Sequence, residues 1–193
     1  MRRALALLSC LVVWSVAVPA AWAGGPDTVV SSTAPDEGTV VKHSGVVVRA
    51  TGADTVDSTN LAQAYAHDCT GCEAVAASLQ AVIVLGRPST VAPQNLAVAV
   101  NQNCTGCKTF AYAYQYVVTT DRAPRIADAD RAALRAFRQE AADLTASDLP
   151  YPELDARLHA LAQRFRAAVD DALARAHVRG DGESHEHQRD DEN

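Results

Sequence analysis

Apolar and polar positions alternate through the middle of the chain and change their period after Pro124. Residues 108–119 alternate with a period of two and are rich in Tyr, Phe and Val, which favours a β-strand. From Leu134 onward the apolar positions recur every three or four residues, which is the period of a helix. Strands followed by helices predict an α+β fold.

Two segments of the strand region, residues 60–85 and 95–120, are copies of one unit. They align at a constant offset of 35 residues without a gap, and both contain Cys-Thr-Gly-Cys. We interpret this density of identity as an internal duplication. The coinciding positions are Asn60/Asn95, Leu61/Leu96, Ala62/Ala97, Ala64/Ala99, Cys69/Cys104, Thr70/Thr105, Gly71/Gly106, Cys72/Cys107, Ala76/Ala111, Gln80/Gln115 and Val82/Val117.

The duplication resolves an ambiguity in the first copy. Residues 73–85 are rich in Ala and Leu and could form a helix, but their copy at 108–119 has the pattern of a strand. Each unit is therefore predicted to be strand, tight turn, strand. We expect an antiparallel sheet of two duplicated β-hairpin units with a Cys-x-x-Cys turn in each.

The alternation also gives this sheet one face of small residues and one bulky face. Residues 74, 76, 78, 80 and 82 share the small face with 109, 111, 113, 115 and 117. The bulky face carries Val75, Leu79 and the aromatic run from Phe110 to Tyr116. We expect the C-terminal helices to cover this bulky face, because an open strand of that composition would aggregate.

The flanks of the duplicated region complete the predicted organisation. Residues 121–178 are predicted to form a helical hairpin, joined near residues 147–150. Residues 24–38 are rich in Gly, Pro, Ser and Thr and predict a flexible lead-in. Two Val-rich runs in residues 39–50 have the pattern of a short hairpin, which extends the β domain to residues 39–120. Residues 179–193 are polar and acidic, and we expect them to be disordered.

The first 23 residues have the pattern of an export signal. Arg2 and Arg3 precede an apolar stretch too short to span a bilayer, and Ala21-Trp22-Ala23 fits a cleavage site. This predicts a secreted or envelope-associated protein with no membrane span after cleavage. The net charge of −6 and the lack of a basic patch argue against a nucleic-acid partner.

The four cysteines of the repeats are the candidate site, and three chemistries compete for it. A turn with Gly in its third position brings its ends within disulfide range, and an oxidising compartment favours a disulfide, Cys69–Cys72 and Cys104–Cys107 being the preferred pairing. Pairing across the units would require the two turns to lie side by side.

Zinc and thiol redox chemistry are the alternatives to structural disulfides. Two Cys-x-x-Cys pairs also suit a four-thiolate zinc site made of the same four cysteines. His67 is a possible added ligand, but its counterpart in the second copy is Gln102. Redox-active pairs usually precede a helix, whereas these precede predicted strands.

The repeated amides Asn60/Asn95 and Gln80/Gln115 leave two interpretations open. They could form amide ladders in a stacked, self-associating sheet, or they could bond to nearby backbone groups and shape the strand ends. With two copies, an extended fibre-forming solenoid is disfavoured. The common motifs of hydrolases, phosphate-binding loops and metallopeptidases do not occur in the sequence.

Residues 51–175 resemble a group of secreted bacterial proteins that carry the twin pattern Asn-x-Ala-x-Ala, Cys-x-x-Cys, Ala-x-Ala-x-Gln. The first copy departs from the pattern at Ser78, where the second has Ala113. Similar cysteine-turn segments occur attached to putative peptide zinc metalloproteases, but His-Glu-x-x-His is missing here. The resemblance therefore implies export, and the peptidase activity is not carried over to this chain because the motif is missing.

Together these observations predict a non-enzymatic, disulfide-stabilised binding or structural module. Its partner would be another protein or a second copy of the chain. A small zinc-binding or thiol–disulfide redox protein is the alternative.

Overall fold

The computed structural model describes residues 26–192, which form seven strands and two helices. The predicted export signal, residues 1–23, lies outside the described residues. The α+β class predicted from the sequence is confirmed. The elements are β1 (Thr28–Ala34), β2 (Val40–Thr51), β3 (Thr55–His67), β4 (Glu73–Leu85), β5 (Thr90–Gln102), β6 (Lys108–Thr120), α1 (Asp128–Ala146), α2 (Tyr151–Arg175) and β7 (Gly180–Glu192).

The strands form two sheets, and from β1 to β6 the chain passes from one sheet to the other at every connection. Sheet A has the order β1-β3-β5, and sheet B has the order β2-β4-β6-β7. The pairs β3/β5 and β4/β6 are parallel and in register at the repeat offset, so that Asn60 lies beside Asn95 and Gln80 beside Gln115. Each strand of sheet A and the following strand of sheet B make one coil, and three coils stack.

The predicted antiparallel hairpins are therefore wrong, although residues 73–85 are a strand as expected. The two strands of each unit lie in different sheets, and the Cys-Thr-Gly-Cys turn is the corner between them. Alternation shows which side chains share a face, but it does not show which strand is the neighbour. Parallel stacking is favoured over hairpin pairing because it places identical side chains and identical turns next to each other.

A third coil precedes the duplicated region. Residues 28–34, expected to belong to a flexible lead-in, form β1, which pairs parallel with β3. Residues 39–50, expected to form a hairpin, instead contribute to the single strand β2, which lies beside β4. The turn of this coil has no cysteine, but Gly38 repeats the role of Gly71 and Gly106, with φ of 69°, 68° and 65°.

The small face of sheet B packs against sheet A of the same chain. Alanines fill much of this layer and are fully buried, among them Ala62, Ala64, Ala74, Ala76 and Ala111. The face is therefore covered within the chain rather than free for a partner. Small side chains let the two sheets approach closely, which explains why the repeats are rich in alanine.

The bulky face of sheet B is covered by the helical hairpin, as predicted. Within residues 26–192 neither helix has both the length and the apolar character to cross a membrane. Phe110, Tyr112 and Tyr114 are buried against the apolar stripe of α2. The buried stripe consists of Leu154, Leu158, Leu161, Phe165, Val169 and Leu173.

The acidic C-terminal segment, expected to be disordered, forms β7 antiparallel to β6. Its backbone completes the edge of sheet B, so its charged side chains can remain largely exposed. Asn95 Nδ2 donates to the carbonyl of His185 at 3.0 Å, and Asn101 Nδ2 donates to that of Asp191 at 2.8 Å. These side-chain bonds from β5 attach β7 to the last coil.

Candidate functional site

The candidate site is the pair of stacked turns that join sheet A to sheet B in the second and third coils. Each turn has its Gly at positive φ, and the residue before its first cysteine is also left-handed, with φ of 53° at Asp68 and 51° at Asn103. Asp and Asn tolerate this conformation better than most residues. Asn103 Nδ2 donates to Asp68 Oδ1 at 3.0 Å, which ties the two turns together.

Backbone hydrogen bonds hold the turns in parallel register. Gly71 N–H donates to the carbonyl of Thr105 at 2.9 Å, and Thr105 N–H donates to that of Cys69 at 3.2 Å. Lys108 N–H donates to the carbonyl of Cys72 at 2.9 Å. The two turns therefore lie side by side, which the sequence left open.

This stacking gathers all four sulfurs into one group, which we call the sulfur cluster (Sγ of Cys69, Cys72, Cys104 and Cys107). Disulfide bonds join Cys69 to Cys72 and Cys104 to Cys107. Across the turns, Cys69 Sγ lies 3.3 Å from Cys104 Sγ and 3.7 Å from Cys107 Sγ. This pairing within each turn is the one that the sequence analysis favoured. The short distances between sulfurs of different turns result from the stacking of the coils.

The sulfur cluster is largely closed to solvent. Cys72 is 1% exposed, Cys107 is 0% exposed and Cys69 is 8% exposed, whereas Cys104 is half-buried. Cys72 Sγ lies 3.0 Å from the carbonyl oxygen of Asp36 in the cysteine-free turn of the first coil. This turn of the first coil therefore covers one side of the sulfur cluster.

The surface above the cluster is acidic. A shallow depression there is lined by Glu37, Asp68, Thr70 and Asn103, together with Cys69 and Thr105. Hydrogen bonds from Asn103 and then His67 hold the pKa of the Asp68 carboxyl below its usual value. An ionised carboxylate beside the sulfurs opposes a thiolate, and each pair leads into a strand rather than a helix.

Only part of the residue set considered for metal binding comes together. Among residues 26–192, the ligand atoms of Cys69, Cys72 and Cys107 lie within 4.8 Å of one another. His67 instead stacks on Tyr65, with ring centroids 4.9 Å apart, and contacts the Asp68 carboxylate. Three of the four cysteines predicted from the sequence therefore form this group, and neither Cys104 nor His67 belongs to it.

The cysteine-free turn at residues 36–38 was missed by the sequence interpretation. Its signal is Gly38, which precedes Gly71 by 33 residues, but no cysteine accompanies it. Sulfurs, a carbonyl and carboxylates define the site, and none of these identifies a reaction. No protein-family model, no curated protein and no solved structure matches the chain.

Proposed function

We propose that the chain is an exported, non-enzymatic binding or structural module in which two disulfides hold the corners of stacked coils. The supporting observation is that each cysteine pair is joined inside one of two adjacent turns, with Cys72 and Cys107 buried. Buried sulfurs are poorly placed to meet the thiol of a substrate protein. Their role is therefore to fix the turns.

The energetics of the fold support this role. The layer between the sheets consists mainly of Ala, Ser, Asn and Gln, which bury less apolar area per residue than Leu or Phe. On the chain-entropy estimate, closing a loop as short as each turn contributes about 2 kcal/mol. Two such contributions are a large part of the stability of a typical domain.

The compartment follows from the same chemistry. Disulfides persist in secreted and envelope proteins and are reduced in the cytosol. The signal pattern in residues 1–23 agrees with export, and it is independent of the cysteines.

A four-thiolate zinc site is the second candidate. Zinc–sulfur bonds of about 2.3 Å in a tetrahedron place neighbouring sulfurs about 3.8 Å apart. The distances from Cys69 Sγ to Cys104 Sγ and Cys107 Sγ, 3.3 and 3.7 Å, approach this value. The sulfurs of Cys69, Cys72 and Cys107 already lie within 4.8 Å of one another, so in a reducing compartment a zinc site would require Cys104 Sγ to move toward them.

The test is mass spectrometry of protein made in an oxidising compartment. The unreduced protein should take up no alkylating reagent at residues 69, 72, 104 and 107, and metal analysis should find no zinc. Peptide mapping should recover each cysteine linked to its partner three residues away. Reduction should lower the free energy of unfolding by about 4 kcal/mol, from two short loops.

A variant with Cys69→Ser and Cys72→Ser is the matched control for the second turn. This variant should lose about half of the free energy of unfolding that the two disulfides contribute, and it should retain the Cys104–Cys107 disulfide. Four alkylated thiols with one equivalent of zinc in the unreacted protein would replace the disulfide proposal by the zinc site. A disulfide between Cys69 and Cys104 would show that the bonds join the two turns, which would contradict pairing within each turn.

A further inference from the structure

A cavity of about 400 Å³ lies between the edge strand β2 and helix α1, on the opposite face of sheet B from the sulfur cluster. Its size is within the range of small-molecule sites. The apolar lining includes Val46 and Ile83, which are 4% and 3% exposed, and the partly buried Val48, Ile126 and Leu134. The floor of the cavity is therefore suited to a hydrocarbon group.

Every charged residue in the lining of this cavity is an arginine. Arg49 comes from β2, and Arg131, Arg135 and Arg138 come from α1; all four are exposed. The spacing of four and then three residues places the three helical arginines on one face of α1. This concentration is unexpected in a chain with 23 acidic and 17 basic side chains.

Few of these charges are neutralised by the protein. Arg131 pairs with Asp128 at 3.0 Å, and Arg138 Nε donates to the carbonyl of Val46 at 2.9 Å. Within the part of the chain that the structure describes, Arg49 and Arg135 have no hydrogen-bond or ion-pair partner.

The nearest buried acid on α1 does not relieve this charge. Asp130 is engaged by Arg175, with 2.7 Å between Oδ1 and Nη2. Arg131 and Arg135 are like charges four residues apart, an arrangement that destabilises a helix. An anion between the arginines would remove that repulsion.

We propose that this cavity binds an amphipathic anion, an acyl chain that carries a carboxylate or phosphate group. The apolar floor would take the chain, because burial of each methylene group from water is favourable. The guanidinium groups would take the head group through charge-assisted, bidentate hydrogen bonds. A fatty acid and an anionic phospholipid share this chemistry, and the inference does not depend on the state of the cysteines.

Calorimetric titration of the purified protein tests the proposal with defined probes. Dodecanoate and dodecyl phosphate should bind, while dodecanol and acetate should bind at least about tenfold more weakly, because each lacks one half of the recognised chemistry. The variant Arg49→Gln/Arg135→Gln should weaken dodecanoate binding by at least about tenfold. Vesicles of phosphatidylglycerol and phosphatidylcholine distinguish a membrane head group from a free amphiphile.

The matched control is Arg87→Gln/Arg179→Gln, which removes the same charge from exposed arginines outside the cavity. It should retain the wild-type affinity for dodecanoate. The proposal is overturned if neither anion binds the wild type, if acetate binds as well as dodecanoate, or if both double variants behave alike. Circular dichroism of each variant verifies that the fold is intact.

Discussion

At the residue scale, the buried amides explain how identical coils recognise each other. Asn60 is 0% exposed, and its Nδ2 donates to Asn95 Oδ1 at 2.8 Å and to the carbonyl of Tyr114 at 3.1 Å. Ser78 Oγ donates to Asn60 Oδ1 at 2.6 Å. The repeated asparagines thus form a ladder between coils of one chain and also bond to backbone carbonyls, but they lie in the middle of β3 and β5 and not at the strand ends.

The glutamines form a second ladder on sheet B. Gln115 Nε2 donates to Gln80 Oε1 at 2.7 Å, and Gln80 Nε2 donates to Thr28 Oγ1 at 2.9 Å in the first coil. Ser58 of sheet A contributes a hydroxyl to the same group, donating to Gln80 Oε1 at 3.1 Å. Amides therefore connect the coils along the stack and also connect the two sheets.

The first prediction concerns the asparagine ladder. Asn60→Leu should lower the free energy of unfolding by about 3 kcal/mol, because it leaves the buried Ser78 hydroxyl and the side-chain oxygen of Asn95 without their partner. Chemical denaturation followed by circular dichroism measures the change.

An exposed amide gives the matched control for this substitution. Gln94→Leu lies on β5 with its side chain exposed and should change the free energy of unfolding by less than about 0.5 kcal/mol. Equal effects of the two substitutions would mean that the ladder does not hold the coils together.

The sequence revealed these amides but not their partners. Their recurrence at an offset of 35 marks Asn60 and Asn95 as equivalent positions. Direct contact between them requires parallel, in-register pairing, which is a property of the tertiary structure. Local pattern therefore identified the residues and could not identify their bonds.

At the element scale, β7 shows how a polar segment becomes a strand. It contains no apolar residue, so its composition predicts disorder. The edge of β6 supplies unpaired backbone groups, and pairing with them stabilises any extended segment close enough to reach. Gly182 allows a close approach, because it lies against the Tyr116 ring.

A substitution at Gly182 tests this packing. Glycine in a strand is usually less favourable than alanine by roughly 0.5–1 kcal/mol, so Gly182→Ala would ordinarily stabilise the protein. Here an added Cβ would lie 2.6 Å from Tyr116 Cζ, and the Tyr116 hydroxyl donates a hydrogen bond to the Asp170 carboxylate. We expect a loss of about 1–3 kcal/mol instead, since the ring must move.

Thermal denaturation of Gly182→Ala and of the control Asp181→Ala measures this difference. Asp181 is an exposed residue of the same strand, and its substitution should have little effect. A stabilised Gly182→Ala protein would contradict the position of β7 against Tyr116.

The helices, in contrast, could be predicted closely. Leu154, Leu158 and Leu161 have helical spacing, and all three are buried against sheet B. A helix satisfies its own backbone hydrogen bonds, so its apolar stripe appears in the local sequence. A strand depends on neighbours that the local sequence does not name.

At the scale of the whole molecule, β4 occupies the centre of three layers. It pairs with β2 and β6 within sheet B, packs on sheet A through one face and faces the helices with the other. Eleven of its thirteen residues are buried. In the described structure β5 pairs with β3 alone, and much of its outer face is exposed.

Hydrogen exchange should reflect this arrangement. Amides of β4 should exchange slowest, near the rate set by global unfolding, because opening them requires separating all three layers. About half of the β5 amides point away from β3, and these should exchange much faster than the amides of β4. Mass spectrometry of peptides covering residues 73–85 and 90–102 compares the two strands directly; equal protection would contradict the assignment of β5 to an edge.

The sequence by itself determined the duplication, the strand character of both copies, the two faces of sheet B and the helical hairpin. These features follow from local periodicity and from identity between copies, which need no knowledge of neighbours. The tertiary structure alone decided that the strands run parallel, that β1 and β2 form a third coil, that β7 pairs with β6 and that four sulfurs and four arginines converge. Each of these depends on contacts between residues distant in the chain, for which local sequence patterns carry no signal.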